Sequence, residues 1–164
     1  MTVIAAKVYE DEIVMSCDSM YTRGWHHKKT GYPEKIIEGA DFVAGVCGSA
    51  EAIPLLLLYS KNHPIGDGGA ARVLEWCTEF LDFAKKKTDN WGVDASVVLA
   101  HKSGLYLVDK WIPLPITDWC AHGSGYEHAE AALYLGCDTE KAVDVAVNMA
   151  YGCGGKIITK RVPK

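Results

Sequence analysis

Extended and helical stretches come in blocks along this chain, and that order constrains the fold more than any single motif. Two strand-like runs, Thr2–Val8 and Ile13–Cys17, flank the polar stretch Tyr9-Glu10-Asp11-Glu12 as the arms of an antiparallel hairpin would. Two more, Lys35–Glu38 and Phe42–Cys47, are joined by Gly39-Ala40-Asp41. Between the two pairs, Tyr21–Tyr32 holds Gly24, Gly31, His26-His27 and Lys28-Lys29 and reads as an exposed loop. Helical segments then cover Ala50–Asn62, apolar all round as in a helix buried on several sides, and Ala70–Lys87, with Val73, Leu74, Cys77, Phe80, Leu81 and Ala84 on one stripe. Strands resume at Asp94–His101 and Gly104–Val108, with short extended pieces Trp111–Leu114 and Trp119–His122 on either side of Pro115. Two further helices, Ser124–Leu135 and Thr139–Tyr151, and a last strand, Lys156–Val162, close the chain, with Asp138-Thr139 as cap candidates. Paired helices between runs of strands do not build a doubly wound parallel sheet. They predict two antiparallel sheets packed face to face, with helices outside each.

Composition removes several function classes. At 164 residues the chain is the length of one domain, spanning 1–164, and 49% hydrophobic with 23% charged residues is no recipe for disorder. The net charge of −4, from 17 Lys+Arg against 21 Asp+Glu, offers no field for nucleic acid or anionic lipid. Runs such as Ile53–Leu58 and Val97–Ala100 are too short to span a bilayer. Met1–Lys7 lacks the pattern of a secretory signal, so a cytoplasmic location is expected. With it, the six cysteines (Cys17, Cys47, Cys77, Cys120, Cys137, Cys153) read as free buried thiols, and none forms a CxxC pair. Neither metal nor cofactor is expected, because the adjacent side chains of His26 and His27 point apart on an extended chain. Trp25, in the same loop, is a candidate for a specificity pocket or subunit contact, and His122 and His128 for a pocket wall.

Four local features carry chemistry, each weak alone. Thr2 follows the initiator Met and is small enough for routine Met removal, which would leave a hydroxyl beside a free α-amine. Such an amine titrates near pH 8 (about 7.7–8.0), so the residue is a nucleophile with its own base. A second-position Thr is also common without any catalytic reason. Asp18 ends the second strand, where a carboxylate orients a neighbouring amine or merely begins a turn. Lys35, if directed inward beside Asp18, would lower a neighbour's pKa by its charge; directed outward it is only solvated. Gly48-Ser49-Ala50 and Gly123-Ser124-Gly125 both stand at strand-to-helix junctions, whose backbone N–H groups suit an oxyanion.

In register, these features resemble the proteasome β-subunit and HslV-type family of N-terminal-nucleophile hydrolases. Thr2-Val3-Ile4-Ala5-Ala6-Lys7 is similar to that family's Thr-Thr-Ile-Val-Ala opening, and Ile13–Asp18 to its second strand ending in Asp. Lys35-Ile36 falls at the site lysine, Ala44–Ala50 at the glycine-containing turn into the first helix, and Ala121-His122-Gly123-Ser124-Gly125 at the turn opening the third.

The resemblance implies a four-layer αββα sandwich of the α+β class and hydrolysis of peptide bonds by Thr2 Oγ. Asp18 and Lys35 would set the electrostatics of the nucleophile, the Gly48 N–H would hold the oxyanion, and Ser124 would join the proton network at the amine. It further implies a homo-oligomeric ring around the sites, an unfolded polypeptide or peptide substrate, and an ATP-dependent unfoldase partner if the pore is narrow. Where the family carries Asp and then Ser before the last strand, this chain has Ala150 and Cys153 in Ala150-Tyr151-Gly152-Cys153-Gly154-Gly155. While Met1 stays attached, Thr2 has no free amine. Those departures keep two alternatives in view: an inactive assembly subunit of the same fold, and an amidohydrolase for a small amide.

Overall fold

The computed structural model describes residues 1–23, 26–28, 34–89 and 93–164. Strands β1 (Val3–Val8) and β2 (Glu12–Asp18) form the expected hairpin, followed by the short β3 (Tyr21–Arg23) and β4 (His26–Lys28). After β5 (Ile36–Glu38) and β6 (Phe42–Gly48) come α1 (Ala52–Ser60) and α2 (Gly69–Lys87). The second half runs β7 (Ala95–His101), β8 (Gly104–Asp109), β9 (Ile112–Ile116), β10 (Trp119–Gly123), α3 (Tyr126–Tyr134), α4 (Thr139–Met149) and β11 (Ile157–Pro163).

One sheet has the order β10-β1-β2-β11 and the other β5-β6-β7-β8-β9, with every pairing antiparallel. Strand alternation distributes the side chains between layers. On β1, Ile4 and Ala6 enter the core between the sheets, where Met15, Val43 and Val98 meet them. Val3 and Ala5 face the other way, onto Ala129 and Leu133 of α3 and Val143 and Ala146 of α4. On β6, Phe42, Ala44 and Val46 pack against Ile53 and Leu56 of α1 and Trp76 and Phe80 of α2. Three apolar layers thus separate four structural ones: this is the αββα sandwich. Cutting Ile4 to Ala would open a void between the sheets and cost about 2–5 kcal/mol.

Several expectations need correction. The stretch read as a loop contains the β3–β4 ladder, Tyr21 pairing with Lys28 and Arg23 with His26; its polar sequence lacks the alternation that marks a half-buried strand. Trp25 lies outside the described residues, as do the side chains of His26 and His27. Helix α1 is buried on one side only, with Leu57 and Leu58 exposed. On α2 it is Trp76, not Leu74, that joins Val73, Cys77, Phe80 and Ala84 inside, because positions three and four apart share a helix face. Strand β9 continues through Pro115 to Ile116. Pro113 and Pro115 have the same parity on this edge strand, so the donors they lack fall on its open side. All six cysteines are free, and Asp138 caps α4 by accepting from the Lys141 N–H at 2.7 Å.

Candidate active site

The five residues singled out from the sequence converge where β1, β2, β6 and the turn before α3 meet. Asp18, at the end of β2, is fully buried. Its Oδ1 accepts from the Val3 N–H at 3.0 Å and from Lys35 Nζ at 2.8 Å, and its Oδ2 from the Gly154 N–H at 3.1 Å. Lys35 stands one residue before β5 and is 2% exposed, so the inward reading holds. Its ammonium also donates to the Met1 carbonyl at 3.0 Å and lies 5.4 Å from the centre of the Tyr21 ring. A cation this deep needs such partners, since burying an unpaired charge costs several kcal/mol.

Ser124 clasps Thr2 from the other side. The Thr2 N–H donates to Ser124 Oγ at 3.1 Å, and that hydroxyl and the Gly125 N–H both reach the Thr2 carbonyl, each at 3.3 Å. The clasp needs glycine at 123: with φ at +98°, a Cβ there would stand 2.3 Å from the Thr2 carbonyl oxygen. Gly48, with φ at +105°, allows β6 to turn toward α1 beside the Asp94 carbonyl, 2.7 Å from where a Cβ would be. Gly48, Thr2 and Lys35 line one cavity of about 150 Å³ together with Tyr21, Val46, Ser49, Ala50, Ile53 and Met1.

Two positions that depart from the family pattern lie here as well. Ala150, at the end of α4, brings no carboxylate, while Cys153 sets its Sγ 3.8 Å from Ser124 Oγ. Burial pushes the Cys17 and Cys47 thiols up to about 12 and raises Cys153 in the same direction, so these sulfurs stay protonated around the hydroxyls. Among the described residues, no group of three or more His, Cys, Asp or Glu side chains is placed to hold a metal ion. Among the described residues, no helix is long and apolar enough to cross a membrane.

Tyr21 and Gly154 were not anticipated. Tyr21 walls the cavity, and burial lifts its hydroxyl to about 12. Gly154 reaches Asp18 only because β11 lies alongside β2, with Ile157 opposite Asp18. His122 is half-buried and bonded to Ser96, outside the cavity lining. A glycine-rich segment preceding the final strand was the only sequence hint of the Gly154 contact.

No protein-family model matches the sequence, and no curated protein matches it. Solved structures do. BPH from Thiobacillus denitrificans, determined alone and in complex with epoxomicin, superposes with a TM-score of 0.85 at 19% identity. The match to the epoxomicin complex covers 98% of this chain and 98% of that one. Eukaryotic HslV from Trypanosoma brucei aligns at a TM-score of 0.73 and 20% identity, over 99% of both chains. The fold is that of HslV. The likeness inferred from the residues therefore holds at the level of the whole HslV-type architecture, end to end. In this HslV-type frame Thr2 immediately precedes β1 of the β10-β1-β2-β11 sheet, with one carboxylate, one ammonium and one hydroxyl around it.

Proposed function

We propose that the chain is a threonine peptidase whose nucleophile is Thr2, exposed as an N-terminal residue when Met1 is removed. The observation that carries this reading is how Thr2 is enclosed: Ser124 Oγ bonds its N–H and carbonyl at 3.1 and 3.3 Å, Asp18 accepts from the following Val3 N–H at 3.0 Å, and Lys35, 2.8 Å from Asp18, donates to the preceding Met1 carbonyl at 3.0 Å. Loss of Met1 converts the Thr2 nitrogen, 3.1 Å from Ser124 Oγ, into an amine. That amine takes the proton of Thr2 Oγ as the oxygen attacks the scissile carbonyl. The oxyanion is held by the Gly48 N–H, and the Lys35 ammonium, which here holds the Met1 carbonyl, adds positive potential beside it. The proton then passes to the leaving amine, the C–N bond breaks, and water hydrolyses the Thr2 ester. The substrates are unfolded polypeptides or peptides, and the protein works in the cytoplasm as a homo-oligomeric ring that encloses the Thr2 sites and, if its pore is narrow, partners an ATP-dependent unfoldase. Closed symmetry keeps such a nucleophile from folded neighbours.

A second reading, a non-catalytic subunit of the same fold, is favoured by Ala150, which leaves the amine without a carboxylate from that position. Assay of the Met1-free protein, verified by intact mass, on fluorogenic peptides separates the two. Hydrolysis supports the peptidase. Inertness of fully processed protein toward peptides and small amides supports the assembly subunit.

A further inference from the structure

The site straddles the gap between the sheets: Thr2 and Asp18 belong to the sheet of β1 and β2, Gly48 to the sheet of β6. Anything that sets this gap sets the distance from nucleophile to oxyanion donor. Lys35 and Asp18 tie the sheets on one side of Thr2. On the other side, Ser96 Oγ of β7 and His122 Nε2 of β10 are 2.5 Å apart.

Strand parity puts both groups in the inter-sheet layer. Ser96 shares the face of Val98 and Ala100, and His122 the face of Cys120, all of which pack in the core between the sheets. A polar pair therefore stands where an apolar contact would continue the core. Its neighbours are the site itself. Ala95, next to Ser96, pairs with Gly48; His122 is followed directly by Gly123 and Ser124. His122 is half-buried, which lowers its pKa against the opposing pull of Asp109, so the ring is neutral at pH 7.

We propose that the His122–Ser96 hydrogen bond is a positioning clamp that fixes the turn carrying Ser124 against the turn carrying Gly48. Its effect on catalysis rests on the peptidase reading; its effect on the two turns does not. Two backbone bonds report the turns directly: Gly125 N–H to the Thr2 carbonyl, and Ser49 N–H to the Asp94 carbonyl.

The test compares His122→Ala, Ser96→Ala, the double variant and His122→Gln, which keeps a polar nitrogen or oxygen at similar reach. Amide hydrogen exchange of the peptides spanning Gly123–Gly125 and Gly48–Ala50 should quicken about ten-fold in both alanine variants, no further in the double, and return toward wild type in His122→Gln. In Met1-free protein, kcat should fall about ten-fold with KM within about two-fold, in the same pattern, because small displacements of reacting groups cost rate rather than binding. Unchanged exchange in the alanine variants overturns the clamp, as does additivity in the double. Quickened exchange with kcat unchanged in an active enzyme overturns its role in catalysis. A wild type that hydrolyses nothing removes the peptidase reading, and the exchange pattern alone then decides the clamp.

Discussion

Lys35 and Asp18 meet across the boundary between the two sheets, Nζ to Oδ1 at 2.8 Å, with side chains 2% and 0% exposed. The carboxylate is not left to the ammonium alone: the Val3 and Gly154 amides complete its shell. One charged pair thereby joins β2, the segment leading into β5, the start of β1 and the approach to β11.

Removing either partner should therefore be costly. Asp18→Ala leaves the Lys35 ammonium buried without a counter-charge, and about 3–5 kcal/mol of unfolding free energy should be lost. Lys35→Met strands a carboxylate that keeps two amide donors, so the loss should be smaller. The double variant should recover part of the Asp18→Ala deficit, and all three should lack peptidase activity. Urea unfolding with a double-mutant cycle reads this, and a coupling near zero would contradict it.

The cysteines around Thr2 should not be the reactive groups. Burial holds Cys17 and Cys47 at about 12, as it does Cys77 and Cys120 elsewhere in the fold, and raises Cys153. Alkylation with iodoacetamide at pH 7.5 should proceed far more slowly at these thiols than at free cysteine and leave hydrolysis intact. Rapid inactivation tracking modification of Cys47 or Cys153 would point to a sulfur nucleophile instead.

The cavity beside Thr2, about 150 Å³ with Met1 forming part of its wall, lies well below the volumes of roughly 300–1,000 Å³ that hold drug-sized ligands. It suits one side chain of modest size, with Val46, Ala50 and Ile53 as the apolar part of its wall beside the polar Thr2, Lys35 and Ser49. Peptides ending in alanine or valine before the scissile bond should be cut faster than those ending in tryptophan. Ala50→Leu fills space from an exposed position and should cut kcat/KM for valine about ten-fold with little change in Tm. An unaltered preference in that variant would place the specificity elsewhere.

Acid should weaken the fold through His101. Its ring is fully buried; Nδ1 accepts the Ser103 N–H at 3.2 Å, and Nε2 stops 3.6 Å short of Asp41. Burial lowers its pKa, with Asp41 opposing. A lowered histidine pKa means that the unfolded chain binds more protons in that window. The stabilisation is whole above the unfolded value near 6.5 and is lost as pH falls through the folded one. Unfolding free energy should drop between pH 7 and pH 5, and His101→Gln should flatten that slope by up to about 1.4 kcal/mol per pH unit. Identical slopes would remove His101 as the cause.

Much of this site was legible because its parts sit at strand ends and junctions. Asp18 closes an apolar run, Gly48 and Gly123 each break one, and Lys35 precedes two isoleucines that must be buried. What was not legible depends on contacts between elements far apart in sequence. Gly154 meets Asp18 through the β2–β11 pairing, and the Tyr21 ring, on a strand whose residues carry no apolar alternation, lies 5.4 Å from the Lys35 ammonium. The His122–Ser96 bond exists only once two sheets are stacked. Periodicity likewise gave α2 its inner face but could not choose between Leu74 and Trp76 at its margin.

The central claim is that the Thr2 hydroxyl performs the attack. The most direct measurement is hydrolysis of a fluorogenic peptide by wild type, Thr2→Ser and Thr2→Ala, each shown by intact mass to lack Met1. Wild type and Thr2→Ser, which keep a hydroxyl beside the free amine, should turn over, and Thr2→Ala should fall at least about 10³-fold. Hydrolysis by Thr2→Ala at the wild-type rate would contradict the account.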